Sequence, residues 1–225
     1  MKNSRRLLIT DGALVPHRAV DPSQVEGWRK RLKLSKPHRI GVLLGGPARN
    51  VEMASQDVES VMGGLIAAAE ESDAELLITS SRRTPPAIEN WLRMNLKRHP
   101  LCRLLVLVNG AQTDGLGNTA EAVPCILELA GALVVSGDSI SMVSEAAATG
   151  KPVICFSPRP MQGKKAAETK YHRFLRQMDD QGRVRLVEPV DVGEAVLETM
   201  KRRTLSAAAG SVEPDPIVEF LRGWF

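Results

Sequence analysis

Short runs of Leu, Ile and Val recur along the chain, and stretches with apolar residues at helical spacing separate them. Arg39–Leu44, Glu75–Thr79, Arg103–Val108, Ala132–Val135 and Val153–Phe156 show little alternation of polar and apolar positions. Runs of that kind read as strands buried on both faces of a parallel sheet. Between and after them the pattern predicts helices over Ser23–Leu34, Ser55 to about Glu71, Pro85 to about Arg98, Ala122–Ala130, a stretch opening after Asp138, 167–179 and 191–203. Further strands are expected at 5–10 and 183–187. The class is α/β, a parallel sheet with helices on both faces.

Local chemistry sets the element ends. Asp21-Pro22 fits a helix start and Pro37 a stop. Ser55 is expected as an N-cap, with Asp57 and Glu59 in the first turn. Thr84 is expected to cap a helix that opens with Pro85. Gly63-Gly64 lies inside a helix at some propensity cost, which a close helix–sheet contact explains. Gly150-Lys151-Pro152 ends a helix before the last core strand. Residues 157–166 read as a polar loop. Ser206–Ser211 reads as a flexible linker to an apolar tail. Three regions follow: a basic segment or linker at 1–36, the α/β domain at 37–205 and a tail at 206–225.

Composition sharpens this picture in two places. Aromatics make up only 4% of the 225 residues, so the core is aliphatic. Residues 1–40 hold ten Lys/Arg against three Asp/Glu, whereas the rest of the chain holds 20 against 23. That basic start suits an acidic partner, anionic lipid or a phosphate-rich ligand; a solvated helix face at Gln24–Leu34 is the simpler reading. No nucleic-acid motif accompanies it, and RNA or DNA binding is not expected. Cys102, Cys125 and Cys155 sit in apolar contexts without CxxC spacing and read as buried thiols of a reducing compartment. No apolar run approaches the ~20 residues that cross a bilayer. Leu7-Leu8-Ile9 stops at Thr10-Asp11-Gly12, unlike a signal peptide. A cytoplasmic location is expected, with peripheral contact to a membrane left open.

Candidate chemistry gathers where strands feed helices, the edge at which open α/β sheets bind ligands. Gly45-Gly46-Pro47 follows one strand and lets backbone approach a ligand, with Arg49 a few residues on. Ser80-Ser81-Arg82-Arg83-Thr84 follows the next and offers hydroxyls, guanidiniums and a helix N-terminus to an oxyanion, or else only a capped helix. Gly137-Asp138-Ser139, with Ser141 and Glu145, is the clearest group. Its serines suit a helix cap or a phosphate. Side chains on a helix lean toward its N-terminus, so Glu145 reaches back to accept from a ribose diol. Lys164, Lys165, Lys170, Arg173 and Arg176 form a basic cluster, suited to a phosphate or an acidic lipid, or a solvated face. His17, His38, His99 and His172 have no partner at ligand spacing, so no metal site is assigned. No catalytic residue is assigned either.

Ile40–Pro47, Leu77–Pro85 with its Thr-Ser-Ser-Arg-Arg-Thr-Pro run, and Val134–Val153 with Asp-Ser-Ile-Ser-Met-Val-Ser-Glu-Ala together resemble the mitochondrial-fission "elongated mitochondria" family over roughly residues 5–190. That family has bacterial and plant members, some described as nucleoside-diphosphate-sugar epimerase-like. It is in turn similar to GT-B glycosyltransferases, which place two Rossmann-like domains around a cleft. The resemblance implies a Rossmann-like domain equivalent to the C-terminal half of such an enzyme, with a nucleoside diphosphate sugar of UDP type as ligand and no cofactor required. It implies that Gly45 and Gly46 approach the diphosphate, that Ser139 lies near the phosphates and that Glu145 takes the ribose. The acceptor half would come from an N-terminal domain or a partner chain. Where related sequences carry an Asn-Pro-Tyr-like segment, this one reads Val123-Pro124-Cys125. A non-catalytic scaffold is the other implied role, because plant relatives recruit a dynamin-related protein to mitochondria.

Overall fold

The structure, a computed structural model, describes residues 20–110, 119–163, 165 and 169–209. In chain order the elements are α1 (Pro22–Leu32), β1 (His38–Leu43), β2 (Val51–Glu52), α2 (Ser55–Glu71), β3 (Ala74–Thr79), α3 (Pro86–Leu96), β4 (Cys102–Val106), α4 (Ala122–Leu129), β5 (Ala132–Ser136), α5 (Ile140–Ala147), β6 (Val153–Phe156), β7 (Arg159–Pro160), α6 (Lys170–Asp180), β8 (Arg185–Val187) and α7 (Val192–Ala209). The expected strand at 5–10 lies outside the described residues.

Six strands pair in the order β4-β3-β1-β5-β6-β8, every pair parallel. Chain order therefore runs outward from β1 to one edge, returns, and continues from β5 to the other. The reversal between β1 and β5 opens a crevice at the strands' C-terminal ends, the ligand site of doubly wound sheets. This is the expected fold class, a Rossmann-like α/β sheet.

Alternate strand residues serve two cores. Ile40, Val42, Leu76, Ile78 and Val134 meet α2, α3 and α7. Leu43, Leu77, Leu133, Val135 and Cys155 meet α1, α4, α5 and α6. Gly41 stands where α4 presses on β1: a Cβ there would lie 2.5 Å from Ile126. Trp28 of α1 is fully buried in the second core, and its indole N–H donates to Glu121 over 2.9 Å.

Several boundaries differ from the sequence expectation. Ser55 is the first residue of α2 and Ala54 its cap, without a side-chain bond. Thr84 does not cap α3; Pro85 holds that position and Pro86 opens the helix. The Thr84 hydroxyl is instead used in a tertiary contact with the Gly45 carbonyl. Gly64 serves a helix–helix crossing, not a helix–sheet contact, because a Cβ on Gly193 of α7 would lie 2.7 Å from the Gly64 oxygen. The loop at 157–166 contains β7, which pairs antiparallel with β2, and α7 continues into the expected linker as far as Ala209. Local propensity could not show the Thr84 contact, the Gly64–Gly193 crossing or the β2–β7 pair, since each depends on a partner distant in sequence.

Candidate functional site

The exits of β1, β3 and β5 converge at the crevice. Gly45 donates its N–H to Ser136 Oγ over 2.7 Å, and Gly46 donates to Asp138 Oδ1 over 2.9 Å. Gly45 lies so close that a Cβ on it would stand 1.8 Å from that carboxylate oxygen. Arg83 from the β3 exit donates Nη1 to the carbonyls of Gly46 (2.8 Å) and Pro47 (3.1 Å), while its Nη2 lies 3.5 Å from Asp138 Oδ1. Ser81 donates to the Gly45 carbonyl over 2.7 Å. Both N–H groups of the glycine pair are therefore engaged within the protein.

Asp138 is 2% exposed. Burial pushes its carboxyl up from the usual value, against the Gly46 N–H, Ser136 and the Arg83 charge, which favour the ionised form. Ser136, the last residue of β5, completes this network; an isolated serine closing an apolar run was the only signal of it in the sequence.

The other predicted residues divide into two groups. Ser139 is the N-cap of α5, but its side chain makes no capping bond. Ser141 is exposed in the first turn of the same helix. Glu145 lies further along α5, half-buried, with no hydrogen-bond or ion-pair partner among the described residues, and burial raises its pKa. Arg49 and Arg82 are exposed on the exits of β1 and β3. Thus Gly45, Gly46, Ser81, Arg83 and Asp138 are joined in one network, whereas Ser139, Ser141 and Glu145 share α5 and remain outside it.

Further polar groups at this edge were not anticipated. Glu89 is buried and accepts from the Ser80 hydroxyl and from the Asn109 N–H (3.1 Å), which ties α3 to the β3 and β4 exits. Arg159 of β7 pairs with Asp57 of α2 and fixes the β2–β7 strap. No group of three or more His, Cys, Asp or Glu suited to a metal ion occurs among the described residues. No described helix is long and apolar enough to cross a membrane.

A family model described as mitochondrial fission ELM1 matches residues 1–211. No curated protein matches the chain. Among solved structures, the chain is similar to the wall teichoic acid polymerase TagF, at 11% identity and a TM-score of 0.47, covering 80% of this chain and 40% of that one. It is similar to the glycosyltransferase SnogD from Streptomyces nogalater, at 17% identity and a TM-score of 0.41, covering 83% and 43%. It is also similar to the FMN-dependent cysteine decarboxylase TvaF of thioviridamide biosynthesis, at 19% identity and a TM-score of 0.42, covering 73% and 99%. The chain spans less than half the length of the polymerase and of SnogD. Proteins of such different chemistry do not transfer a function to this one.

Proposed function

We propose, from the premise that the chain belongs to the mitochondrial fission ELM1 family, that the C-terminal edge of its sheet binds a nucleoside diphosphate of the kind that carries a sugar. The observation that carries this reading is Glu145. A half-buried carboxylate with no partner among the described residues is costly to keep charged, and a ribose diol donating two hydroxyls relieves that cost. Ser139, Ser141 and the first N–H groups of α5 are suited to the phosphates, because a helix N-terminus there carries free donors and partial positive charge. Arg49 and Arg82 add positive charge along the same edge. The glycine pair takes a structural part in this scheme, since its N–H groups are already used by Ser136 and Asp138.

In a sugar transfer, the N–H groups and arginines of this edge would stabilise the departing diphosphate. The acceptor and a catalytic base would come from a second lobe or a partner chain. A non-catalytic scaffold is the second reading, and the crevice laced by Ser136, Asp138 and Arg83 favours it.

Thermal unfolding of the purified chain with UDP, GDP, ADP, dTDP and their sugars separates the two. A ligand at about 100 Kd adds roughly 2.7 kcal/mol of stability. Stabilisation by one nucleotide, lost in Glu145→Ala, supports the binding reading. No shift with any of them at millimolar concentration refutes it and favours the scaffold.

A further inference from the structure

The exposed face of α6 has no part in the nucleotide reading. This helix buries Tyr171, His172, Phe174, Leu175 and Met178. Lys170, Arg173 and Arg176 are left on one exposed stripe at a spacing of three. Lys165 leads into the stripe and Arg183 follows the helix, both exposed. None of the five has an acidic partner among the described residues; the ion pairs there use other cations. Lys170 does lie 5.1 Å from the ring centroid of Tyr171.

Two electrostatic costs coincide on this helix. Its first turn holds no acidic residue, so Lys170 adds positive charge to the positive end of the helix dipole. Its acids, Asp179 and Asp180, stand in the last turn, and Asp179 accepts the Leu186 N–H over 3.0 Å. Lys170, Arg173 and Arg176 also repel one another as like charges at helical spacing. An external anion lying along the helix relieves both costs.

The surroundings narrow the kind of anion. A single-stranded nucleic acid would need exposed rings for stacking, but Tyr171 and Phe174 are buried. An acidic protein surface would need an apolar anchor of some size. The exposed large apolar side chain in the β6–α6 connection is Met161, held beside the β2–β7 strap by its N–H bond to the Asn50 carbonyl. Diffuse positive charge on a face whose large apolar side chains are buried matches the surface of an anionic bilayer. We infer that the Lys165–Lys170–Arg173–Arg176 face docks on an anionic lipid bilayer.

Co-sedimentation of the full chain with phosphatidylcholine vesicles, with and without phosphatidylglycerol, tests this docking. Binding is expected only to the anionic vesicles and is expected to weaken with NaCl. Arg173→Glu/Arg176→Glu should lower the partition coefficient at least ~10-fold, and Arg173→Gln/Arg176→Gln should lower it by less. Lys97→Glu/Arg98→Glu makes the same charge change at the far end of the sheet, beyond α3, and should leave binding nearly unchanged. Circular dichroism melts establish that the variants fold. Absence of binding to anionic vesicles overturns the inference. So does an equal loss in the α6 and control variants, or capture by RNA without capture by vesicles.

Discussion

Gly46 donates its backbone N–H to Asp138 Oδ1 over 2.9 Å, and that bond ties the exit of β1 to the exit of β5 where the strand order reverses. Ser136 makes the parallel bond to Gly45, and Arg83 lies over both. In a doubly wound sheet this is the position at which a phosphate approaches the backbone. Here a buried carboxyl group of the fold itself meets that backbone.

Asp138 should make stability depend on pH in an unusual direction for an aspartate. Burial raises its folded-state pKa, so the folded protein holds this proton more tightly than the unfolded chain. The stabilisation linked to that proton is fully present below the unfolded value of about 3.9 and is lost as pH rises through the raised folded value. Asp138→Asn keeps an acceptor for Gly46 and removes the charge. Its stability relative to the parent, from urea denaturation at a series of pH values, should therefore increase from acid toward neutral. Asp138→Ala should lose about 1–3 kcal/mol at neutral pH, because the Gly46 N–H is left buried without a partner. A constant difference between Asp138→Asn and the parent across pH would show that the buried charge has no energetic consequence.

Gly45 and Gly63 should respond oppositely to the same substitution. A Cβ at Gly45 meets Asp138 Oδ1 at 1.8 Å, with both sides fixed by hydrogen bonds. Gly45→Ala should cost about 1–3 kcal/mol through overpacking. Gly63 is exposed inside α2, with nothing within 4 Å of an added Cβ. Gly63→Ala should gain up to about 1 kcal/mol from helix propensity. Midpoints of thermal unfolding should move in opposite directions; an unchanged or raised midpoint in Gly45→Ala would contradict the close approach there.

Most of the sheet is legible in the sequence because a strand buried on both faces reads as an apolar run wherever it pairs. Val134 and Val135 face opposite cores, yet both must be apolar. The strand order, with its reversal between β1 and β5, is not written in that alternation and comes from the structure. Legibility fails where a polar residue has a tertiary partner. Thr84 looks like a helix cap until Gly45 claims its hydroxyl. Gly64 looks like a sheet contact until Gly193 crosses it. Asp138 stands out in the sequence by its place after β5, but not as the partner of Gly46, because 92 positions separate the two. The two-residue strands β2 and β7 carry too few residues to show a period.

If Glu145 takes a ribose, nucleotide affinity should depend on pH. Burial raises the carboxyl's pKa, so Glu145 keeps its proton to a higher pH than a free glutamate does. The ionised form accepts two hydroxyl hydrogens where the protonated form accepts less well. Affinity measured by calorimetry should rise from acid through the raised value and level off toward neutral pH. Glu145→Gln should flatten that profile and weaken binding by about 10-fold or more, the scale of a charge-assisted hydrogen bond. Tight binding with an unchanged profile in Glu145→Gln would remove this residue from the site.

Trp28 decides whether α1 is integral to the domain. The sequence places residues 1–36 outside it as a basic segment, and the charged positions of α1 are indeed exposed. Yet Trp28 is fully buried with Leu32 among Ala122, Ile126 and Leu129, and its indole N–H reaches Glu121. Trp28→Ala should cost about 3–5 kcal/mol, the scale of a large aromatic removed from a core. Trp28→Phe keeps most of the buried area and loses the hydrogen bond, so about 1 kcal/mol is expected. Because α1 packs on α4 and α4 lies over β1, the loss should appear as a lower midpoint of one cooperative transition in denaturant. If Trp28→Ala unfolds at the parental midpoint, α1 is an appendage and the basic segment extends through it.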